Sequence, residues 1–217
     1  MLPEATTHAL LRIGSADCLE NAEAAPGWVS GALRRAPWVV VRRVPRDGDR
    51  IPVGVRGAAR GERYAGWLPT AAVRECLTPR ELAARRGWHA HPRRDAVAAL
   101  AALAAVETLM RSRGLATSWG PAGSVGFELA SGCETASPAS DLDLIVLPEV
   151  LMPGGAARAL AAELTALPAR VDVLIELPGG SALALGELAR ATAPYLLRTP
   201  QGARRVADPW SGAGMGR

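Results

Sequence analysis

The chain has 217 residues, which suits one large domain or two small ones. Hydrophobic residues make up 49% of it, which excludes wholesale disorder, and its longest apolar run, Ala96–Val106, is too short to cross a bilayer. The net charge of +4 is mild, and all 25 basic residues are Arg, so the charge permits a polyanionic ligand but does not indicate nucleic-acid binding.

Residues 1–86 are predicted to form a small β-rich or α+β domain. Three short apolar runs are predicted strands: Trp38–Val41, Ile51–Arg56 and Tyr64–Leu68. Thr78–Glu81 has the capping-box pattern that begins a helix, and Gly87 is expected to end it. Gly87–Pro92 is the predicted linker.

Residues 87–217 are predicted to form a second domain in which helices and strands alternate. A long amphipathic helix is expected from His91 to about Arg113, followed by Gly114. Further along the chain we predict two strands and two helices: Leu142–Leu147, Arg170–Leu177, Gly155–Leu167 and Ser181–Ala193. This order predicts an α+β fold with a mixed sheet flanked by helices.

Two aspartates open the first of these strands, within the run Ser140–Leu144. Side chains at positions i and i+2 of a strand share a face, so Asp141 and Asp143 are expected to point the same way. Asp172 interrupts the next strand and becomes a third carboxylate if the two strands are neighbours. Such a cluster is typical of a site for Mg²⁺, or for Mn²⁺, that supports phosphoryl transfer.

A Gly-Ser pair supplies the other expected element of such a site. Gly123 and Ser124 lie in a Gly-rich stretch before an apolar segment, where backbone N–H groups and a hydroxyl can bind terminal phosphates. Ser140, directly before Asp141, is grouped with them as a candidate phosphate ligand. Glu128, next to Phe127, is a further candidate to face the site.

These motifs together resemble the signature of the nucleotidyltransferase superfamily. More specifically, Trp119–Gly132 followed by Ser140–Leu144 resembles malonate decarboxylase holo-acyl-carrier-protein synthases, also called phosphoribosyl-dephospho-CoA transferases. Four other segments are similar to parts of that family: His8–Arg12, Val39–Arg43, Ile51–Gly57 and Val206–Trp210.

Two features depart from the expected patterns. Fifteen residues separate Ser124 from Ser140, more than in minimal nucleotidyltransferases, which favours this family over the small antitoxin-type enzymes. His8 is followed by Ala9 where the family pattern has Asp, which weakens a catalytic role for His8.

The resemblance implies a nucleotidyltransferase-like C-terminal domain and a defined reaction. A 5-phosphoribosyl-dephospho-CoA group would pass from 2′-(5-triphosphoribosyl)-3′-dephospho-CoA to a serine of the apo acyl-carrier subunit of malonate decarboxylase, with release of pyrophosphate. The attacking serine would belong to the partner, so Ser124 is not expected to be a nucleophile. Asp141, Asp143 and Asp172 would bind the metal, and neither a membrane nor a nucleic acid would be a partner.

Basic residues in the N-terminal half have two interpretations. The first interpretation is a clamp for the triphosphate or for the acidic face of a carrier protein, and the second is ordinary solvated surface. The residues concerned are Arg42, Arg43, Arg56, Arg60 and Arg63. Arg93 and Arg94 are expected on the exposed first turn of the long helix.

Two alternative functions remain open. One is transfer of AMP from ATP to a protein or RNA, and the other is non-catalytic nucleotide binding by a degenerate fold. The three cysteines lack CxxC spacing, which argues against a disulfide framework or a zinc site. No secretory signal is visible, so the expected compartment is the cytoplasm.

Overall fold

The computed structural model describes residues 5–59 and 61–211. This part of the chain holds two β-sheets and six α-helices, which confirms the predicted α+β arrangement. Its N-terminal elements are β1 (Leu10–Arg12), α1 (Gly27–Arg35), β2 (Trp38–Val41), β3 (Arg50–Arg56), β4 (Arg63–Pro69), β5 (Glu75–Leu77) and α2 (Pro79–Arg85). Its C-terminal elements are α3 (Ala98–Ser112), β6 (Trp119–Pro121), α4 (Gly123–Ser131), β7 (Leu142–Val146), α5 (Gly154–Leu164), β8 (Val171–Glu176), β9 (Ala182–Ala184), α6 (Leu185–Arg190), β10 (Tyr195–Thr199) and β11 (Gly202–Val206). No helix in residues 5–59 and 61–211 is long and apolar enough to span a membrane.

The first sheet is antiparallel and has the strand order β4-β3-β2-β1-β5. One face packs against α1, because Val39, Val41 and Val53 are buried with Val29 and Leu33 of that helix. The opposite face of this sheet carries Val40 and Gly54, which are register partners in β2 and β3. That face lines a cavity.

The second sheet has the order β11-β10-β9-β8-β7-β6, and only the β7–β8 pair is parallel. Leu142 and Leu144 of β7 and Val173 of β8 are buried in the larger core, together with Leu103 of α3 and Leu160 of α5. Since side chains alternate along a strand, the intervening residues of β7 and β8 face the other way. They face the same cavity as the first sheet.

An ion pair joins the two sheets at one end of this cavity. Arg43, just after β2, donates from Nη1 to Glu176 Oε2 of β8 over 2.8 Å and to the carbonyl of Gly180. Both side chains are nearly buried, with 11% and 12% exposed, so the pair is shielded from solvent. The cavity of about 1340 Å³ therefore has one wall from each half of the chain.

The predicted strands and the capping box are confirmed, but the long helix and the segment Ser181–Ala193 differ from their predictions. The long helix begins at Ala98 rather than at His91, because residues 91–97 form turns in which Arg93 binds Glu128. The segment Ser181–Ala193, predicted as one helix, is β9 followed by α6. Pairing with β8 and β10 overrides the helix propensity of Ala and Leu there.

The segment predicted as a linker is packed rather than open. Gly87–Ala90 is a 3-10 helix, and Trp88 is fully buried in the larger core. The preceding helix ends at Arg85, with Arg86 instead of Gly87 in the left-handed conformation. The domain boundary after residue 86 stays a prediction; α2, on its N-terminal side, packs against β6 and α4.

Candidate active site

The predicted carboxylate cluster lies on the cavity face of the second sheet. Asp143 and Asp172 are register partners in the parallel β7–β8 pair, so their side chains project from neighbouring strands toward the same face. Asp141 precedes Asp143 by two residues, just before β7 begins. Asp143 and Asp172 therefore lie side by side on the cavity wall, whereas Asp141 is close enough to act on the charge of Asp143 but is not part of the cavity lining.

Burial and neighbouring charges both act on the ionisation of Asp143. Burial raises the pKa of Asp143 above its usual range, and the nearby carboxylates of Asp172 and Asp141 raise it further. Arg56 and Arg63 act in the opposite direction, which places both guanidinium groups within electrostatic reach of Asp143. A group whose pKa shifts through neighbouring charges inside a cavity is a typical functional-site feature.

The arginines come from the facing wall. Arg56 and Arg63 are register partners in the β3–β4 hairpin, so both project from the same side of the first sheet. They line the cavity together with Arg42, as do Asp143 and Asp172 on the other side. An acidic wall therefore faces a basic wall.

Two other arginines of the predicted cluster are placed differently. Arg43 does not line the cavity and is instead engaged by Glu176, Gly180 and His8. Its use as a phosphate ligand would require breaking the shielded pair with Glu176. Arg60 lies outside the described residues.

The Gly-Ser turn directly contacts the carboxylate cluster. Gly123 begins α4 with a φ of +58°, and an added Cβ there would overlap the Oδ2 atom of Asp143. The backbone N–H of Ala122 donates to the carbonyl of Asp143 over 2.9 Å and fixes this approach. Only glycine combines that φ with so close a contact.

The two predicted serines lie beside the cavity rather than on its wall. Ser124 is 7% exposed, and its carbonyl accepts from Thr135 Oγ1 over 2.9 Å. Ser140 Oγ accepts from the backbone N–H of Ser137 over 2.9 Å and stabilises the turn before Asp141. Phosphate contacts by either serine stay a prediction.

Sequence reasoning missed a buried ion pair that holds the loop between α4 and β7. Glu128, a candidate to face the site, is 1% exposed and does not line the cavity. Its carboxylate accepts from Arg93 over 2.8 and 2.9 Å and from the backbone N–H groups of Thr135 and Ala136 over 2.8 Å each. Arg93 also donates to the carbonyl of Ala136, so its prediction as an exposed residue was wrong.

This pair explains the long spacing between the two motifs. The loop that separates Ser124 from Ser140 is bonded back onto α4 through Glu128 and through the Thr135–Ser124 contact. Glu128 thereby fixes where Asp141 and Asp143 lie relative to Gly123. In the sequence, the one sign of this ion pair is a Glu one helical turn after the Gly-Ser pair, together with an Arg earlier in the chain.

The donor set suits a hard divalent cation, although it is not a preformed metal centre. Within the described ranges, no group of three His, Cys, Asp or Glu side chains is already arranged to hold a metal. Arg170, which also lines the cavity, contacts Asp172 at 3.0 Å and Asp141 at 3.7 Å and so engages both carboxylates. The mutual repulsion that raises the pKa of Asp143 is the kind that Mg²⁺ relieves.

Comparison with known proteins assigns both halves of the chain to one family. Residues 6–79 match the N-terminal domain and residues 81–209 the C-terminal domain of the phosphoribosyl-dephospho-CoA transferase MdcG. A phosphoribosyl-dephospho-CoA transferase of Azotobacter vinelandii is 40% identical over 97% of this chain and 95% of its own length. Proteins of the same name from Pseudomonas aeruginosa and Klebsiella pneumoniae are each 38% identical over 93% and 94% of this chain and 91% and 95% of their own lengths.

No solved structure matches the chain significantly. The assignment therefore rests on the two domain matches and on relatives that cover nearly the whole sequence. The chain belongs to the phosphoribosyl-dephospho-CoA transferase family, and it is a transferase enzyme.

Proposed function

We propose that this enzyme transfers the 5-phosphoribosyl-dephospho-CoA group from 2′-(5-triphosphoribosyl)-3′-dephospho-CoA to a serine of the apo acyl-carrier subunit of malonate decarboxylase. The new bond joins the serine oxygen to the α-phosphorus, and the bond from that phosphorus to pyrophosphate breaks. The observation that carries the proposal is the pairing of Asp143 with Asp172 on a wall that faces Arg56 and Arg63.

The basic wall binds the triphosphate. Guanidinium groups form bidentate hydrogen bonds with phosphate oxygens, and Arg56 and Arg63 project side by side from one hairpin. Arg42 lines the same wall and adds a third positive charge. These residues would orient the pyrophosphate portion away from the incoming acceptor and stabilise the charge it carries as it leaves.

The acidic wall supports a divalent cation. Asp141, Asp143 and Asp172 would hold Mg²⁺ or Mn²⁺, with Arg170 displaced from the two carboxylates that it contacts. When bound, the ion would neutralise charge on the reacting phosphate and favour ionisation of the attacking hydroxyl. Gly123 leaves room for the carboxylate of Asp143 because it carries no side chain.

The nucleophile comes from the partner protein. Ser124 is 7% exposed and lies off the cavity wall, which supports a structural role for it. The cavity is lined by both halves of the chain, and a carrier serine would approach between the two walls. Cytoplasmic location is part of this proposal.

The test is the intact mass of an apo malonate decarboxylase carrier subunit after incubation with this enzyme, Mg²⁺ and one of two donors. We expect a gain equal to phosphoribosyl-dephospho-CoA with the triphosphoribosyl donor and no gain with ATP. A carrier in which the acceptor serine is replaced by alanine is the control and should stay unmodified. A gain of AMP from ATP, or no gain from either donor, would contradict the proposal.

A further inference from the structure

The cavity continues past Asp172 into a slot along one edge of β8. Strand β8 pairs with β7 from Val171 to Ile175, but with β9 only from Leu174 to Glu176. Among the described residues, Val171–Val173 therefore has no strand partner on the β9 side. Backbone N–H and C=O groups at such an edge are available to hydrogen-bond a ligand.

The walls of this slot are mostly apolar, unlike the first-sheet wall that carries the arginines, and Thr165 and Arg170 are the polar residues of the same segment that line the cavity. Its lining comes from the C-terminal end of α5, from the turn before β8 and from the start of α6: Ala161, Leu164, Leu167, Ala169, Leu185 and Gly186. Leu164 and Leu185 are each 4% exposed, so they belong to the packed framework on either side of the opening. We call this region the β8 slot.

The β8 slot has free space at Gly186. A Cβ added to that residue would meet no atom within 4 Å, and its backbone is not in the left-handed region. Gly186 is the second residue of α6 and lines the cavity. A larger side chain at this position would therefore project into open space without disturbing the helix.

We propose that the β8 slot binds the purine base of the donor. The inference rests on the proposed function, in which the donor joins a highly charged triphosphate to an adenosine. Arg56 and Arg63 attract the phosphates to the first-sheet wall, and the uncharged adenine base would lie at the apolar surface along β8. A purine has two apolar faces and a polar edge, which fit the apolar walls and the open edge of Val171–Val173 respectively.

The size of the cavity agrees with a two-part ligand. Its volume of about 1340 Å³ exceeds what a triphosphate needs and lies above the usual range for small-molecule sites, about 300–1000 Å³. The lining arginines Arg42, Arg56 and Arg63 belong to the N-terminal half, whereas the apolar residues of the β8 slot belong to α5, α6 and the turn before β8. A single ligand with one charged and one apolar portion would occupy both.

The test compares Gly186→Leu with Gly155→Leu. Gly155 is likewise the second residue of a helix, α5, and also has no atom within 4 Å of an added Cβ, but it does not line the cavity. Binding of dephospho-CoA and of inorganic pyrophosphate is measured by calorimetry on the full-length protein. Gly186→Leu should weaken dephospho-CoA binding by about tenfold or more and leave pyrophosphate binding unchanged, whereas Gly155→Leu should change neither.

Competition identifies which portion of the ligand the slot holds. Adenosine should displace dephospho-CoA from the wild-type protein, and pantetheine should not. Competition by pantetheine alone, wild-type affinity in Gly186→Leu, or no dephospho-CoA binding by the wild-type protein would each overturn the proposal.

These measurements need neither the carrier nor transfer. If Gly186→Leu weakens dephospho-CoA binding but the wild-type protein does not modify the carrier, the slot is supported and the proposed function fails. If transfer occurs and Gly186→Leu binds dephospho-CoA normally, the proposed function stands and the slot is excluded.

Discussion

Gly123 approaches Asp143 so closely that a single added methyl group would overlap the carboxylate. Gly123→Ala should therefore displace Asp143 and abolish transfer. It should also lower the free energy of unfolding by about 1–2 kcal/mol because of the left-handed backbone. Gly48→Ala is the matched control, since Gly48 has a φ of +60° but open space around it. Both variants should lose stability in urea unfolding; full transfer activity in Gly123→Ala would contradict the account.

Asp143→Asn should separate repulsion from cation binding. The pKa of Asp143 is raised, so its ionised form destabilises the fold as the pH rises through that pKa. Without a divalent cation, the variant should melt at a higher temperature than the wild-type protein near neutral pH. With Mg²⁺, only the wild-type protein should gain thermal stability, and only it should transfer. If Mg²⁺ raised the melting temperature of Asp143→Asn as much as that of the wild-type protein, a role for Asp143 in binding the cation would be contradicted.

Glu128→Gln tests the ion pair that anchors the loop between the two motifs. It leaves the partly buried Arg93 opposite a neutral group, which should cost about 2 kcal/mol of unfolding free energy. The exposed control, Glu134→Gln, should stay within about 0.5 kcal/mol of the wild-type protein.

A positioning role for Glu128 predicts more than lost stability. Under conditions where Glu128→Gln is folded, half-maximal activity should require more Mg²⁺, because Asp141 and Asp143 are no longer held against Gly123. An unchanged Mg²⁺ requirement with reduced stability would assign Glu128 a structural role alone.

His8→Asn should reduce the loss of unfolding free energy that accompanies a fall in pH from 6.5 to about 4. Burial, with Arg43 and Arg198 nearby, lowers the pKa of His8 to about 4. Between pH 6.5 and about 4 the unfolded chain binds a proton that the folded state does not, so stability falls as the pH falls, by up to about 3 kcal/mol. Asparagine tolerates the left-handed backbone of His8. Chemical denaturation across this range should show a smaller loss in the variant, and parallel curves would contradict the prediction.

The sequence predicted those features that depend on local pattern. Trp38–Val41 is a continuous apolar run and forms β2, and Asp143 lies in the predicted strand, on the cavity wall. The face shared by Asp141 and Asp143 stays a prediction, because Asp141 precedes β7. The capping box at Thr78 forms as predicted because it needs only residues three apart. The approach of Asp172 required only that two predicted strands be neighbours.

Features that depend on distant partners were not predictable in the same way. Strands β1 and β5 have three residues each, too few to show periodicity, and they form because β2 and each other supply partners. The sequence does not distinguish Arg43 from its neighbour Arg42, because the partner of Arg43, Glu176, lies 133 residues away along the chain. The roles of Arg93 and Glu128 likewise follow from contact between segments 35 residues apart.

The most direct measurement follows two products of one reaction: the mass of the apo carrier subunit and the pyrophosphate released. With the triphosphoribosyl donor and Mg²⁺, the account predicts one phosphoribosyl-dephospho-CoA group per carrier and one pyrophosphate per group transferred. Both products should disappear when EDTA removes the cation or when Asp143→Asn replaces the wild-type enzyme. Undiminished transfer in EDTA would contradict the role given to the three aspartates. A carrier left unmodified by the wild-type enzyme with Mg²⁺ would contradict the proposed reaction itself.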